Sequence, residues 1–260
     1  MPALALLAQL SDPHIDLGPG DTGSAEALAE AVRAVMALDP APDAVLVSGD
    51  LTNAADARSY ERVHELLAPL SVPTHVLPGN HDDRAGLRAR FGGGAVEGSG
   101  GEPFRYAVRC GAARLVGCDT TVPGRPDGRL DGAALAWLET TLAAEPAMPT
   151  IVAMHHAPLL LGIGPMDAIG LPEANRAALA GVLGRFACVR RVVAGHVHRA
   201  TFGLLGACPV FACPSTHLQL RLDTGPDIDL EPAPPAFALH RLLPGGEVVT
   251  LLQPVEQGAG

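Results

Sequence analysis

The sequence predicts an α/β fold, and three observations carry that prediction. Short apolar runs alternate with amphipathic stretches of helical period along much of the chain. The apolar share, 48% of 260 residues, is enough to bury a sizeable core. Clusters of Asp, Asn and His fall directly after the apolar runs, where open α/β sheets gather their ligands. At this length one large domain, residues 1–260, is expected.

Leu4–Leu10 reads as a strand ending at Asp12-Pro13-His14. Ser24 then caps a helix to about Leu38, with Leu28, Val32 and Val35 on one face. Ala44–Ser48 is a buried strand ending at Gly49-Asp50, followed by a helix near Ala55–Leu67 that Pro69 stops. Thr74–Leu77 is a strand ending at Gly79-Asn80-His81-Asp82, and Gly92–Gly101 is a glycine-rich surface connector. Phe104–Arg109 and Arg114–Asp119 form a hairpin around Gly111-Ala112, and Asp131 opens a helix carrying Leu135, Leu138 and Leu142. Thr150–Met154 is a strand into His155-His156, and Pro172–Arg185 is a helix. Val189–Ala194 is a strand into Gly195-His196-Val197-His198. Thr201–Leu205, Val210–Cys213, Phe237–Leu242 and Val248–Leu252 are β-rich. The Pro-rich stretch Thr224–Pro235 is expected to be an ordered excursion, because strand-like sequence flanks it on both sides.

The charge pattern narrows the function classes. With 18 basic and 28 acidic residues the chain carries net −10, which disfavours polymeric nucleic acid and favours a small anionic substrate. All the basic residues are arginines, so lysine-dependent P-loop, Schiff-base and Ser-Lys chemistries are excluded. Five dispersed cysteines form no CxxC pair and point to buried thiols in a reducing cytoplasm, with a Cys208–Cys213 bridge the weaker alternative. No stretch approaches the roughly 20 apolar residues of a membrane span, and no secretory leader is legible, so no membrane partner is expected.

Six of the ten histidines sit in the strand-end segments. Their partners are hard oxygen donors: Asp12, Asp50 and Asn80. Asp50 offers two oxygens, and one carboxylate can bridge two cations about 3.5–4 Å apart. Asn80 offers a carbonyl oxygen; His14, His155, His196 and His198 offer imidazole nitrogens. At spacing i, i+2 in an extended strand, His196 and His198 are expected on the same side. Mixed nitrogen and oxygen donors suit Fe, Mn, Zn or Co better than Ca or Mg, and the absence of Cys argues against a structural zinc site. Singly, Asp12, His14, Asn80 or His155 would more often be a turn former or a satisfied core polar group; the set as a whole does not read that way.

In order and composition, D-x-H, G-D, G-N-H-[DE], H and G-H-x-H resemble the signature of the calcineurin-like metallophosphoesterases. That resemblance implies a four-layer α/β/β/α sandwich with two mixed sheets flanked by helices. It implies Asp12, His14, Asp50 and His198 around a first metal, and Asp50, Asn80, His155 and His196 around a second, with no organic cofactor. His81 becomes the phosphate-facing catalytic histidine, alongside Asp50. Gly79–Arg84, His155–Pro158, Met166–Gly170 and Pro214–Gln219 further resemble class III cyclic nucleotide phosphodiesterases and glycerophosphodiesterases. Those relatives hydrolyse small phosphodiesters by metal-bound hydroxide and often pair as homodimers through an excursion, here residues 215–240. His155-His156-Ala157-Pro158 departs from their common His-His-Pro-Pro.

Asn80, His81 and His217 are the substrate-contact candidates. His156 reads as a residue orienting a ligand or as a ligand itself, and Arg84 as a phosphate anchor or a helix-start ion pair. Asn53 and Asp83 read as turn or cap residues, and His64, His75 and His240 as surface or packing residues. The competing functions are phosphomonoesterase or nuclease chemistry on the same centre, or a non-catalytic metal-binding scaffold.

Overall fold

A computed structural model of the chain describes residues 3–93, 95–222, 225 and 227–255. Two sheets dominate it. The first runs β13-β12-β1-β2-β3, with β1 (Ala5–Leu10), β2 (Ala44–Val47), β3 (Thr74–Val76), β12 (Ala236–Leu242) and β13 (Val248–Pro254). β1, β2 and β3 are parallel; β12 and β13 add antiparallel. The second runs β4-β5-β6-β7-β9-β8, with β4 (Tyr106–Cys110), β5 (Ala113–Gly117), β6 (Thr150–Ala153), β7 (Val189–Ala194), β8 (Thr201–Leu205) and β9 (Cys208–Ala212). β5, β6, β7 and β9 are parallel, with β4 and β8 antiparallel at the edges.

Helices α1 (Ser24–Met36), α2 (Ala57–Leu67) and α3 (Arg84–Phe91) pack on the first sheet, and α4 (Gly132–Ala144), α5 (Gly164–Ala168) and α6 (Glu173–Leu183) on the second. The expected apolar face of α1 is real: Leu28, Val32 and Val35 are at most 2% exposed, each burial contributing about 1.5–3 kcal/mol. Leu7, Leu46 and Val47 of the first sheet share a core with Leu115, Ile151 and Val193 of the second. Helix, sheet, sheet, helix is the layer order.

The local corrections have physical reasons. Ser24 does not cap α1: Gly23, at φ 94, is the N-cap, and the Ser24 hydroxyl donates to Asp21. Asp56 caps α2 by accepting from the Arg58 and Ser59 amides, so that helix starts two residues later than expected. Asp83 caps α3 through the Gly86 amide, as its cap reading anticipated. The described part of the Gly92–Gly101 connector is tied down by Arg88, whose guanidinium donates to the carbonyls of Glu97, Gly100, Glu102 and Pro103.

In the Pro-rich excursion, β10 (Leu218–Leu220) and β11 (Leu230–Pro232) pair as a small antiparallel ladder; positions 223, 224 and 226 lie outside the described residues. Arg221 bridges Asp229 and Glu231, and Arg199 reaches both Glu231 and the Leu220 carbonyl. All five cysteines are free thiols, and Cys213 donates to the Gln9 carbonyl. No helix among the described residues is long and apolar enough to cross a membrane.

Candidate metal centre

The strand-end segments converge where the carboxyl ends of β1, β2 and β3 meet those of β6 and β7. They reach inward because the backbone turns left-handed there. Asp12, His14, Asp50, His196 and His198 have φ between 46° and 68°, and Ala55 is the one other non-glycine in that region among the described residues. Such a conformation costs a side-chain-bearing residue about 1–3 kcal/mol and concentrates at functional sites. It also overturns the extended i, i+2 reading of His196 and His198. Their rings go to different clusters: His196 joins His155 and His156, while His198 joins Asp12, His14 and Asp50.

Two glycines make the convergence possible. Gly49 has φ 107, and a Cβ there would overlap the His155 ring. At Gly195 a Cβ would occupy the space of the Ser11 hydroxyl and crowd Asp12 Oδ2 at 2.8 Å.

Asp50 stands between the clusters. Its Oδ2 lies 3.3 Å from His14 Nε2 and 3.4 Å from His155 Nε2, while Oδ1 accepts the His81 amide at 2.8 Å. His155 Nε2 is also 3.2 Å from Asn80 Oδ1. On the other side His14 Nε2 and His198 Nε2 are 3.0 Å apart, and His198 Nε2 is 3.5 Å from Asp12 Oδ1. Two imidazoles have their tautomer fixed from behind. The Nδ1–H of His155 donates to the Ser48 carbonyl and that of His198 to the Leu218 carbonyl, both at 2.9 Å, which leaves each Nε2 lone pair facing the centre. His196 Nε2 is buried and has no hydrogen-bond partner. An orphaned imidazole nitrogen beside carboxylate oxygens and inward-facing lone pairs fits a pair of cations.

The electrostatics agree with that fit. Burial opposes ionisation of Asp50, yet His155 and His14 beside it hold its carboxyl well below the usual range. Burial lowers His155, but Asp50 and Asp12 outweigh it and lift the ring to about 9, so a cation bound at Nε2 would take the place of a proton there. Burial, then the neighbouring His156 and His155 rings, depress His196 well below its ordinary value. The acid of the Gly79–Asp82 motif is raised to about 6 by burial and by Asp50. Asp82 has a clear mechanical role: it accepts the amides of Leu51, Thr52 and Gly79, pinning the loop after β2 to the loop after β3.

Other candidates sort by contact. His156 has both ring nitrogens engaged: Nε2–H donates to the Pro126 carbonyl, so Nδ1 accepts from Thr120. That supports the orienting reading and not ligation. Arg84 makes a 2.7 Å ion pair with Asp119 and bonds Thr121, the structural alternative of its two. His81 is exposed; its Nδ1–H donates to the Asn53 carbonyl at 3.2 Å and its ring stands edge-on to His14 at 4.7 Å. His217 sits at the rim with Nε2 2.9 Å from Thr22 Oγ1. Asn53 was legible only as a turn residue, because its carbonyl's role depends on a ring 28 positions away.

Beside these residues opens a cavity of about 300 Å³, at the lower end of small-molecule sites. One flank is His14, Asp50, Asn80, His81 and Asn53; the other is apolar, with Met166, Ile169, Leu220, Ile228 and Leu230. Residues 5–200 match the model of the calcineurin-like phosphoesterase family. This chain is a calcineurin-like phosphoesterase. Among curated relatives of this phosphoesterase, the glycerophosphodiester phosphodiesterase GpdQ of Enterobacter lignolyticus is 33% identical over 91% of this chain and 86% of its own. The 3′,5′-cyclic adenosine monophosphate phosphodiesterase CpdA of Pseudomonas aeruginosa is 31% identical over 94% and 84% respectively. In fold, a purple acid phosphatase from yellow lupin superposes with TM-score 0.65 at 15% identity, over 99% of this chain and 52% of its own.

Proposed function

We propose that this phosphoesterase hydrolyses small phosphodiesters, of the cyclic nucleotide or glycerophosphodiester class, with two bound transition metals drawn from Fe, Mn, Zn and Co. Asp12, His14, Asp50 and His198 would hold one cation, and Asp50, Asn80, His155 and His196 the other. The observation that carries the reading is the Asp50 Oδ2 atom, within 3.4 Å of one imidazole from each cluster. Only a shared carboxylate needs that position. The chain would serve this centre as one domain, since the loops of both sheets supply its donors, and its free thiols suit a reducing cytoplasm.

When bound, a pair of such cations supplies charge neutralisation for phosphate oxygens and a nucleophile at neutral pH. The protein's own part is placement. Asn80 and His81 flank the phosphate position; His81, its Nδ1–H held by Asn53, leaves Nε2 unengaged, and as the imidazolium it would protonate the departing alkoxide or steady an equatorial oxygen. His217 borders the same cavity. The apolar flank gives the second ester group a surface to lie on. Among the described residues no arginine lines the cavity, and Asp16 and Asp21 do. A monoanionic diester therefore suits it better than a dianionic monoester, and net −10 opposes a nucleic-acid polymer.

The test compares bis(p-nitrophenyl) phosphate with p-nitrophenyl phosphate under added Mn2+. Higher kcat/KM on the diester is expected. Preference for the monoester would overturn the substrate class; inactivity on both, with a wider phosphoester panel also negative, would favour the scaffold reading.

A further inference from the structure

We infer that a buried file of hydrogen bonds, Thr250–His240–Gln9–Ser48–Ser11, is the positioning device that presents Asp12 to the metal centre; the inference rests on the reading of Asp12 as a ligand. The file starts at half-buried Thr250 on β13 and runs across β12 to β1 along one face of the first sheet. Gln9, Ser11 and Ser48 are 0% exposed and His240 is 1% exposed, the His240 ring lying against Phe211 and the Cys213 thiol against the Gln9 carbonyl.

Each donor's direction can be fixed by elimination. Gln9 Nε2 lies 2.8 Å from the Ala194 carbonyl, which only accepts, so the amide nitrogen is at that end and Oε1 faces His240. Gln9 Oε1 only accepts as well, so His240 carries its proton on Nε2, at 2.9 Å, and its Nδ1 accepts from Thr250 Oγ1 at 2.8 Å. Gln9 Nε2 also donates to Ser48 Oγ at 2.8 Å, and Ser48 Oγ donates to Ser11 Oγ at 2.7 Å. The Ser11 hydroxyl donates to Asp12 Oδ2. Along the file each bond points toward the carboxylate, with side branches to the Ala194 and Leu10 carbonyls. Aligned donors polarise one another; the His196 amide also reaches both Asp12 oxygens at 3.1 Å, and Oδ1 faces His198 Nε2 at 3.5 Å.

Two properties mark a functional device. Burying Gln and His in an apolar layer is costly unless each polar atom is matched, and here each is. Apolar residues of similar size would hold two sheets together as well without needing a direction. The side chains of the file also reach only one of the two candidate clusters, whereas its backbone groups touch both: the Ser48 carbonyl takes His155 Nδ1–H.

The experiment titrates chelator-stripped protein with Mn2+ in a calorimeter, the binding event lost in Asp12→Ala identifying the Asp12 site. His240→Leu is expected to weaken that event by about 10–100-fold, the usual effect of removing a group behind a ligand, and the other event by much less. His240→Gln, which keeps a donor for Gln9 Oε1, is expected to recover most of the loss. Ser11→Ala, a one-atom deletion that keeps the fold if His240→Leu does not, is expected to reproduce the selective loss. Unchanged affinity in His240→Leu and Ser11→Ala, or equal loss at both sites, or equal loss in His240→Gln and His240→Leu, overturns the inference. Wild-type protein that binds no Mn2+ overturns the proposed centre itself.

Discussion

Single residues set the chemistry, and Asp50 has the most to lose. Its two oxygens serve His14, His155 and the His81 amide together. Asp50→Ala is therefore expected to abolish hydrolysis and lower metal content at both positions, measured by elemental analysis. His81 differs, since its ring touches Asn53 and His14 edge-on but takes no part in either metal cluster. His81→Ala should slow turnover by about 10²–10⁴-fold with metal retained; metal loss equal to that of Asp50→Ala would sink its assignment. These residues were legible because each motif is local, a few positions after an apolar run. Their supports were not. Gln9 and His240 are 231 positions apart, and nothing in either residue's neighbourhood announces the other.

At the scale of elements, the strands and the first two helices of the first half were readable from periodicity, while four short pieces escaped. α3 carries Arg84, Arg88 and Arg90, which blur its apolar face; α5 spans 5 residues, and β10 and β11 span 3 each, too short for a period to show. The loops held the larger surprise. A strand-like reading of His196 and His198 fails because Gly195 and the left-handed turns behind it send the rings apart. Gly195→Ala should press on Ser11 and Asp12, weakening Mn2+ binding in the same titration and lowering the unfolding midpoint. The β10–β11 ladder matters for selectivity because Ile228 and Leu230 line the cavity. Ile228→Ser is expected to raise KM for bis(p-nitrophenyl) phosphate by about tenfold, in the range of lost apolar contact, with Mn2+ affinity unchanged.

For the molecule as a whole, the layered architecture was legible only through the family resemblance; the strand-end motifs by themselves predict ligands gathered at one rim, not two sheets. The shared core of Leu7, Leu46, Ile151 and Val193 supplies the seam between the sheets. Acid should open it. His240, burial its main cause, has a folded-state value of about 3 against an ordinary 6.5. Between those values the unfolded chain binds a proton that the folded chain refuses, so stability falls as pH drops from 6.5 toward 3. The slope is about 1.4 kcal/mol per pH unit for one such group. His156, also held at about 3 by burial, adds the same sign, and Asp82, raised to about 6, opposes it between 6 and its ordinary 3.8. Urea unfolding of metal-free wild type and His240→Gln across pH 6.5 to 4.5 is expected to differ in slope by about one proton; parallel curves would contradict the assignment of His240 as neutral.

The left-handed backbone at Asp12, His14, Asp50, His196 and His198 has one more consequence. Glycine would rest in those conformations without strain, so a lineage released from binding cations would drift toward glycine there and become sturdier. This polypeptide instead keeps a carboxylate or imidazole at every one of the five, a standing tension that the proposed metal centre would repay.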